Sequence, residues 1–225
     1  MGIKILGVSG SPIKNSNTDR AVKAILEASG LESEFVKLSE INVRPCRACK
    51  GCVPDNICKV EDDFPALAEK IKEAEALVIG AYCPYGQIDG FTKAFLERLW
   101  SMRHVSNLNK GKRVILVVNG VATPGITQRD KLLNKMNVTR KNVASAIAKE
   151  MRMENMKVIG TVLIRGNVPC LTCGEGSTCK MSGAKTLFGK NVKASSDLCV
   201  RVEDQPDVWE KINKLGHKLR DRLSK

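Results

Sequence analysis

Apolar runs of strand length alternate along this chain with amphipathic stretches of helix length. Residues 3–8 (IKILGV) predict an opening strand. Asn17–Ser29 predicts a helix, with Ala21, Ala24, Ile25 and Ala28 on one face and Gly30 as its stop. Residues 34–38 predict a short second strand, and Phe64–Glu73 a second helix with Pro65 in its first turn. Ala76–Tyr82 (ALVIGAY) is continuously apolar, as suits a parallel strand buried on both faces. A helix over 91–105, a buried strand over 114–119, a long helical stretch over 131–151 and a fifth strand over 157–164 follow. Pro206–Leu223 closes the pattern, with Val208, Ile212, Leu215 and Leu219 at helical spacing. Five strands alternating with helices predict a doubly wound α/β sheet. The length of 225 residues suits a single domain with an elaboration.

Two stretches break the alternation, and both carry cysteines. Between the second strand and second helix the chain reads RPCRACKGCVPDNIC, which holds Cys46, Cys49, Cys52 and Cys58. Thiolates crowded into one loop repel one another unless a soft metal centre shares their charge. Zinc sites usually space their cysteines as two pairs a dozen or more residues apart, or mix them with histidine. Repeated two-residue gaps are the iron–sulfur pattern. The spacing therefore favours one [4Fe–4S] cluster held by all four, ahead of zinc and ahead of disulfides or idle thiols. Pro45 and Pro54 stiffen the loop, and Gly51 is expected to supply a left-handed turn before Cys52. Residues 165–204 form the second stretch and are rich in Gly, Ser and Cys. They contain Cys170-x2-Cys173-x5-Cys179, with Cys199 as a possible fourth ligand. A second iron–sulfur cluster leads the readings there; a zinc staple and reduced surface thiols are the others.

Loops after the strands add a second kind of chemistry. The first strand leads into Ser9-Gly10-Ser11-Pro12-Ile13-Lys14-Asn15-Ser16-Asn17-Thr18, small polar side chains at a helix N-terminus. Orphan backbone N–H groups and the helix dipole suit a phosphate there. The segment is neither a P-loop nor a GxGxxG fingerprint. A helix cap alone needs one side chain, Ser16 or Asn17. Five polar side chains (Ser9, Ser11, Ser16, Asn17 and Thr18) point instead to a bound phosphate. Ligands of open α/β sheets sit beyond the carboxyl ends of the strands, so two more loops belong to the same edge. Cys83-Pro84-Tyr85-Gly86-Gln87 offers a ring to stack and an amide to bond, and residues 119–125, opening with Asn119 and Gly120, make a glycine-containing turn. The three loops together predict a planar cofactor with a phosphate tail. Cys83 itself reads as a small buried hydrophobe.

Charge and composition narrow the classes. Net charge is +13, and residues 101–160 hold 12 basic against 3 acidic side chains. Such a face steers acidic partners: nucleic acid, or an acidic electron carrier. A solvated surface without a partner is the bland alternative. Aromatic residues are only 4% and show no basic interleaving, which disfavours nucleic acid. No 18-residue apolar run exists, so no membrane association is expected. Nine cysteines without a leader pattern point to a reducing, cytoplasmic setting. His104 and His217 read as exposed polar positions, and no hydrolytic triad or His-x-x-x-His pair is offered. Met151, Met153 and Met156 read as core or interface filler, and Trp100 and Trp209 as packing residues.

The first loop, Pro84-Tyr85-Gly86 and Lys93-Ala94-Phe95-Leu96-Glu97-Arg98 together resemble the flavodoxin-like NADPH-dependent FMN reductase superfamily. The cysteine run narrows the resemblance to the iron–sulfur flavoproteins of anaerobic microbes, across about residues 1–160. The resemblance implies a flavodoxin-like sheet of order 2-1-3-4-5. It also implies FMN, one [4Fe–4S] cluster per subunit, a homodimer or homotetramer, and electrons arriving from ferredoxin. Carried over by position, Ser9, Ser11, Ser16, Asn17 and Thr18 match the FMN phosphate loop, and Pro84, Tyr85, Gly86 and Gln87 the isoalloxazine loop. Asn119 and Gly120 match the third flavin loop more loosely. Cys46, Cys49, Cys52 and Cys58 match the cluster ligands. Two departures stand out. Ile13 occupies a place where the family often has Arg, so the phosphate charge falls to Lys14 or to backbone alone. The late cysteines lie outside the family's minimal pattern. The implied activity is electron transfer between a low-potential donor and an acceptor. The alternatives are an NAD(P)H-dependent FMN or quinone reductase with a structural zinc, and a basic, metal-stapled nucleic-acid-binding protein.

Overall fold

Five parallel strands, β1 (Ile5–Ser9), β2 (Ser33–Lys37), β3 (Ala76–Tyr82), β4 (Arg113–Val121) and β5 (Lys157–Gly166), form one sheet. Its order is β2-β1-β3-β4-β5, the flavodoxin-like arrangement. The computed structural model describes residues 4–121 and 128–224, with 128–139 described by backbone only. Helices α1 (Asn17–Ser29), α2 (Phe64–Glu73), α3 (Gly90–Arg98), α4 (Gln128–Met153) and α6 (Pro206–Leu223) flank the sheet, and α5 (Gly183–Phe188) lies within the late insertion.

Alternation of side chains along each strand divides the core in two. Leu6, Val8, Leu77, Ile79 and Leu116 face α2, α3 and α4, where Phe64, Phe95 and Ile147 meet them. Ile5, Val78, Ile115 and Val117 face α1 and α6, where Ile25, Ile212 and Leu219 complete the second cluster. Full burial of one such side chain stabilises by about 1.5–3 kcal/mol. Gly216 lets α6 approach α1 closely, since a Cβ there would lie 2.5 Å from that of Ala28. All four periodic positions predicted on α6 are buried.

Several expectations need correction. The predicted helix over 91–105 stops at Arg98 and tightens into a 3-10 turn, Leu99–Met102. Ser101 Oγ takes the Arg98 carbonyl at 2.8 Å, a side-chain bond that competes with helical continuation. His104 therefore lies beyond the helix and is half-buried, its ring edge-on to Trp100 at 4.2 Å. Met151 and Met156 are core residues, but Met153 is exposed. Residues 165–204 also contain helix, because Ser182 caps α5. Among the described residues, no helix is long and apolar enough to cross a membrane.

Candidate functional site

The sheet's topology brings the β1, β3 and β4 loops to one edge. Gly10 N–H reaches the Gly80 carbonyl of β3 at 2.8 Å, and Asn119 Nδ2 of β4 donates to Thr18 Oγ1 at 3.3 Å. All five predicted phosphate-loop side chains are buried, but they divide the work. Ser16 caps α1 by a reciprocal box with Asp19. Ser9 Oγ donates to Asp19 Oδ1 at 2.6 Å. Asn17 is tied to the late insertion: its amide donates to the Val200 carbonyl at 2.9 Å, and its oxygen accepts Val202 N–H at 3.1 Å. Ser11, Thr18 and the backbone at the start of α1 remain as donors toward a ligand.

The β3 loop is a 3-10 turn, Pro84–Gly86, with Tyr85 at φ 51 and its ring fully exposed. Strained backbone under a solvent-facing aromatic is characteristic of ligand contacts. Buried Asp89 supports this loop, accepting Tyr82 N–H at 3.0 Å, Thr92 N–H at 2.8 Å and Thr92 Oγ1 at 2.7 Å. Burial pushes the Asp89 carboxyl up despite these bonds. Burial likewise pushes the Cys83 thiol up to about 12, in keeping with a packing role. Of the third loop, Asn119 and Gly120 are described, whereas 122–125 lie outside the described residues. Among the described residues, Asn119 Oδ1 is buried without a partner. An unpartnered amide oxygen, an exposed ring and a helix N-terminus on one edge fit a planar ligand with a phosphate tail.

Cys46, Cys49, Cys52 and Cys58 line one small depression together with Arg98 and Trp100. Burial raises the Cys52 thiol, and its three companion cysteines push the same way, the repulsion that a metal centre removes. The backbone here differs from expectation. Ala48 (φ 51) and Lys50 (φ 60) take the left-handed conformation, and Gly51 does not. Gly51 is required by space instead, because a Cβ would lie 2.7 Å from Lys59 Cγ. The loop's ends are pinned by a buried pair. Arg98 Nη1 and Nη2 meet Asp62 at 2.6 and 3.0 Å, Nη1 reaches the Arg44 carbonyl at 2.8 Å, and Asp62 accepts Arg44 N–H at 2.9 Å.

All nine cysteines are free thiols, so no disulfide occupies either motif. Among the described residues no three metal-binding side chains converge as a single ion would need. The early four line one small depression, so the loop gathers sulfur donors that a shared centre could use. The late cysteines share a module but line no common cavity among those described. Cys170 Sγ accepts Gly183 N–H at 3.2 Å, while Cys173 and Cys179 are exposed. The Asn167 side chain clamps both backbone groups of Val200, at 2.8 and 3.0 Å, and so holds neighbouring Cys199 near the module's entry.

A family model described as NADPH-dependent FMN reductase matches residues 3–150. The chain belongs to that family. It is similar to an iron–sulfur flavoprotein of Methanocaldococcus jannaschii, with 31% identity over 104 residues, 45% of this chain and 54% of that one. It is also similar to an iron–sulfur flavoprotein of Methanosarcina thermophila, with 32% identity over 113 residues, 49% of this chain and 59% of the other. The match thus spans a little over half the length of these relatives. In fold alone it is like an NAD(P)H:quinone oxidoreductase from Methanothermobacter marburgensis, with TM-score 0.60 and 11% identity over 97% of this chain and 98% of that chain.

Within this FMN reductase frame, sequence reasoning overlooked Lys37, Asp62, Asp89 and the clamping role of Arg98. Asp89 carried a readable signal, an N-cap residue immediately before Gly90. Lys37 offered only a charge closing a short strand, which usually reads as solvent-exposed.

Proposed function

We propose that this chain is an iron–sulfur flavoprotein that passes electrons between a low-potential donor such as ferredoxin and an acceptor. FMN would lie on the sheet edge, and Cys46, Cys49, Cys52 and Cys58 would hold a [4Fe–4S] cluster. The observation that carries this reading is four thiols lining one small depression in a chain whose β1, β3 and β4 loops meet on one edge. FMN supplies interchange between one- and two-electron transfer, and the cluster supplies single electrons. Ser11, Thr18 and the first turn of α1 would bind the phosphate, assisted by Ser9, Ser16 and Asn17 as the loop's frame. Pro84, Tyr85, Gly86 and Gln87 would contact the ring, with Asn119 and Gly120 bounding its far side. Cys170, Cys173, Cys179 and Cys199 are the candidate ligands of a second centre.

Arg44, Arg47 and Lys50 are exposed on the cysteine loop, beside exposed Val53 and Ile57. A positive rim with an apolar component suits an acidic protein carrier. A homodimer or homotetramer in the cytoplasm is the proposed working form. A second reading follows from the family's own description: reduction of FMN by NADPH, with zinc in the cysteine loop.

Anaerobic purification followed by flavin, iron, sulfide and zinc quantitation separates the two. The expected result is about one FMN, with about four irons and four sulfides per chain. About eight irons would establish the late cysteines as a second cluster. Zinc without sulfide, with flavin reduced directly by NADPH, would establish the second reading. Colourless protein without flavin, sulfide or zinc would remove both.

A further inference from the structure

A phosphate monoester carries about −1.5 to −2 charge near neutrality, whereas a helix N-terminus offers only about half a positive charge. The first loop adds little to offset that deficit. Ile13 and Lys14 both face solvent, and α1 places the buried carboxylate of Asp19 in its first turn. A carboxylate beneath a phosphate opposes binding unless something cancels it.

Lys37, the last residue of β2, is placed to do so. Its side chain is only 6% exposed, and Nζ lies 2.7 Å from Asp19 Oδ2. The same ammonium donates to the Ser11 carbonyl at 2.8 Å and the Ile13 carbonyl at 2.9 Å. An ammonium has three protons, and these three acceptors use them all. Lys37 therefore has no proton left for a ligand and must act through the loop.

Two effects follow. Asp19 is neutralised while Ser9 Oγ and Ser16 N–H hold its oxygens in place, so the capping box is kept without a net negative field. The Ile13 carbonyl is also drawn inward. In a trans peptide the carbonyl and the following N–H point to opposite sides, so the Lys14 N–H is turned away from Lys37.

We infer that Lys37 is the positioning residue that makes this loop phosphate-competent, by pairing with Asp19 and anchoring the Ser11 and Ile13 carbonyls, and so sets a preference for phosphorylated flavin over riboflavin. The inference rests on the FMN reading above and is independent of the cysteines.

The test uses the full chain, stripped of flavin, titrated with FMN and with riboflavin by fluorescence quenching. In K37M the FMN affinity should fall at least about tenfold, the scale of one lost charge-assisted hydrogen bond. Riboflavin affinity should hold within about twofold. K37R should restore part of the FMN preference. Equal loss of both flavins would mark Lys37 as merely structural, and an unchanged FMN-to-riboflavin ratio would also overturn the inference. Should K37M fail to fold, the double variant K37M/D19N removes the buried charge. Its ratio must still fall below the wild-type value, because the carbonyl anchor is gone, and a wild-type ratio there sinks the idea. A wild-type chain that binds neither flavin overturns the FMN reading and this inference with it. Wild-type FMN preference retained in every variant overturns the inference alone.

Discussion

Tyr85 pairs a left-handed backbone with a ring wholly in solvent, and a non-glycine residue held this way costs about 1–3 kcal/mol. The proposed contact with the flavin ring would supply a reason to keep it. Tyr85→Gly should leave urea stability level or raise it by up to about 1 kcal/mol, because relieved strain outweighs glycine's added chain entropy. The same change should weaken FMN binding several-fold, and Tyr85→Trp should restore it. If Tyr85→Gly binds FMN as tightly as wild type, stacking on this ring is wrong. Cys83 two residues earlier makes the opposite case. Its thiol is pushed up to about 12 by burial, so iodoacetamide at pH 8 should leave it unmodified in the native chain. Cys83→Ala should keep full flavin and iron content; loss of either would give this thiol a role beyond packing. Both positions stand out in the sequence, an aromatic in a strand-end loop and a cysteine continuing an apolar strand. The strain at Tyr85 was not, because backbone dihedrals of a non-glycine residue leave no mark in composition.

The cysteine loop shows how far local pattern reaches at the level of elements. Spacing alone identified its four thiols, and apolar periodicity placed α2 on its observed bounds, since both signals lie within a few residues of one another. The clamp between Asp62 and Arg98 joins residues 36 apart, and no local pattern announces it. Both side chains have no solvent exposure, and Arg98 also stacks over the Phe64 ring at 4.6 Å. Burial works to raise the Asp62 carboxyl. Hydrogen bonds from Arg98 and from the Arg44 and Phe64 N–H groups outweigh it, and the group titrates below the ordinary carboxylate range. A depressed carboxyl stabilises the fold above its unfolded value of about 3.9, and that contribution is lost as pH falls through the lower folded value. The urea midpoint should therefore be flat in this respect near neutrality and drop on acidification below about pH 4. Arg98→Met at pH 7 should cost about 3–5 kcal/mol, because it leaves a buried carboxylate unpaired. Asp62→Asn should flatten the acid limb of the curve. An acid limb unchanged in Asp62→Asn would assign the pH dependence to other carboxylates.

Across the whole molecule, the pattern read from the chain recovered the five-stranded sheet and the edge where the loops gather, and the family resemblance supplied the strand order. The basic segment 101–160 is the expected docking surface for an acidic carrier, and it includes β4 and α4. Arg44, Arg47, Lys50 and Lys59 are exposed on the loop that holds the thiols and offer a second candidate surface. Charges that steer an acidic carrier act over about 8 Å at physiological salt, so proximity to the electron's entry point matters more than total charge. A small neutral or inorganic reductant needs no such steering. Raising salt from about 50 to 500 mM should slow reduction by ferredoxin at least tenfold, while reduction by dithionite should change little. Arg47→Glu with Lys50→Glu should reproduce that loss at low salt, leaving iron and flavin content at wild-type levels because neither side chain is buried. Charge reversal at Lys141 and Lys149 of α4, both exposed, supplies the control. If that pair slows ferredoxin and the loop pair does not, electrons enter over the helical face and the cysteine loop is not the docking surface.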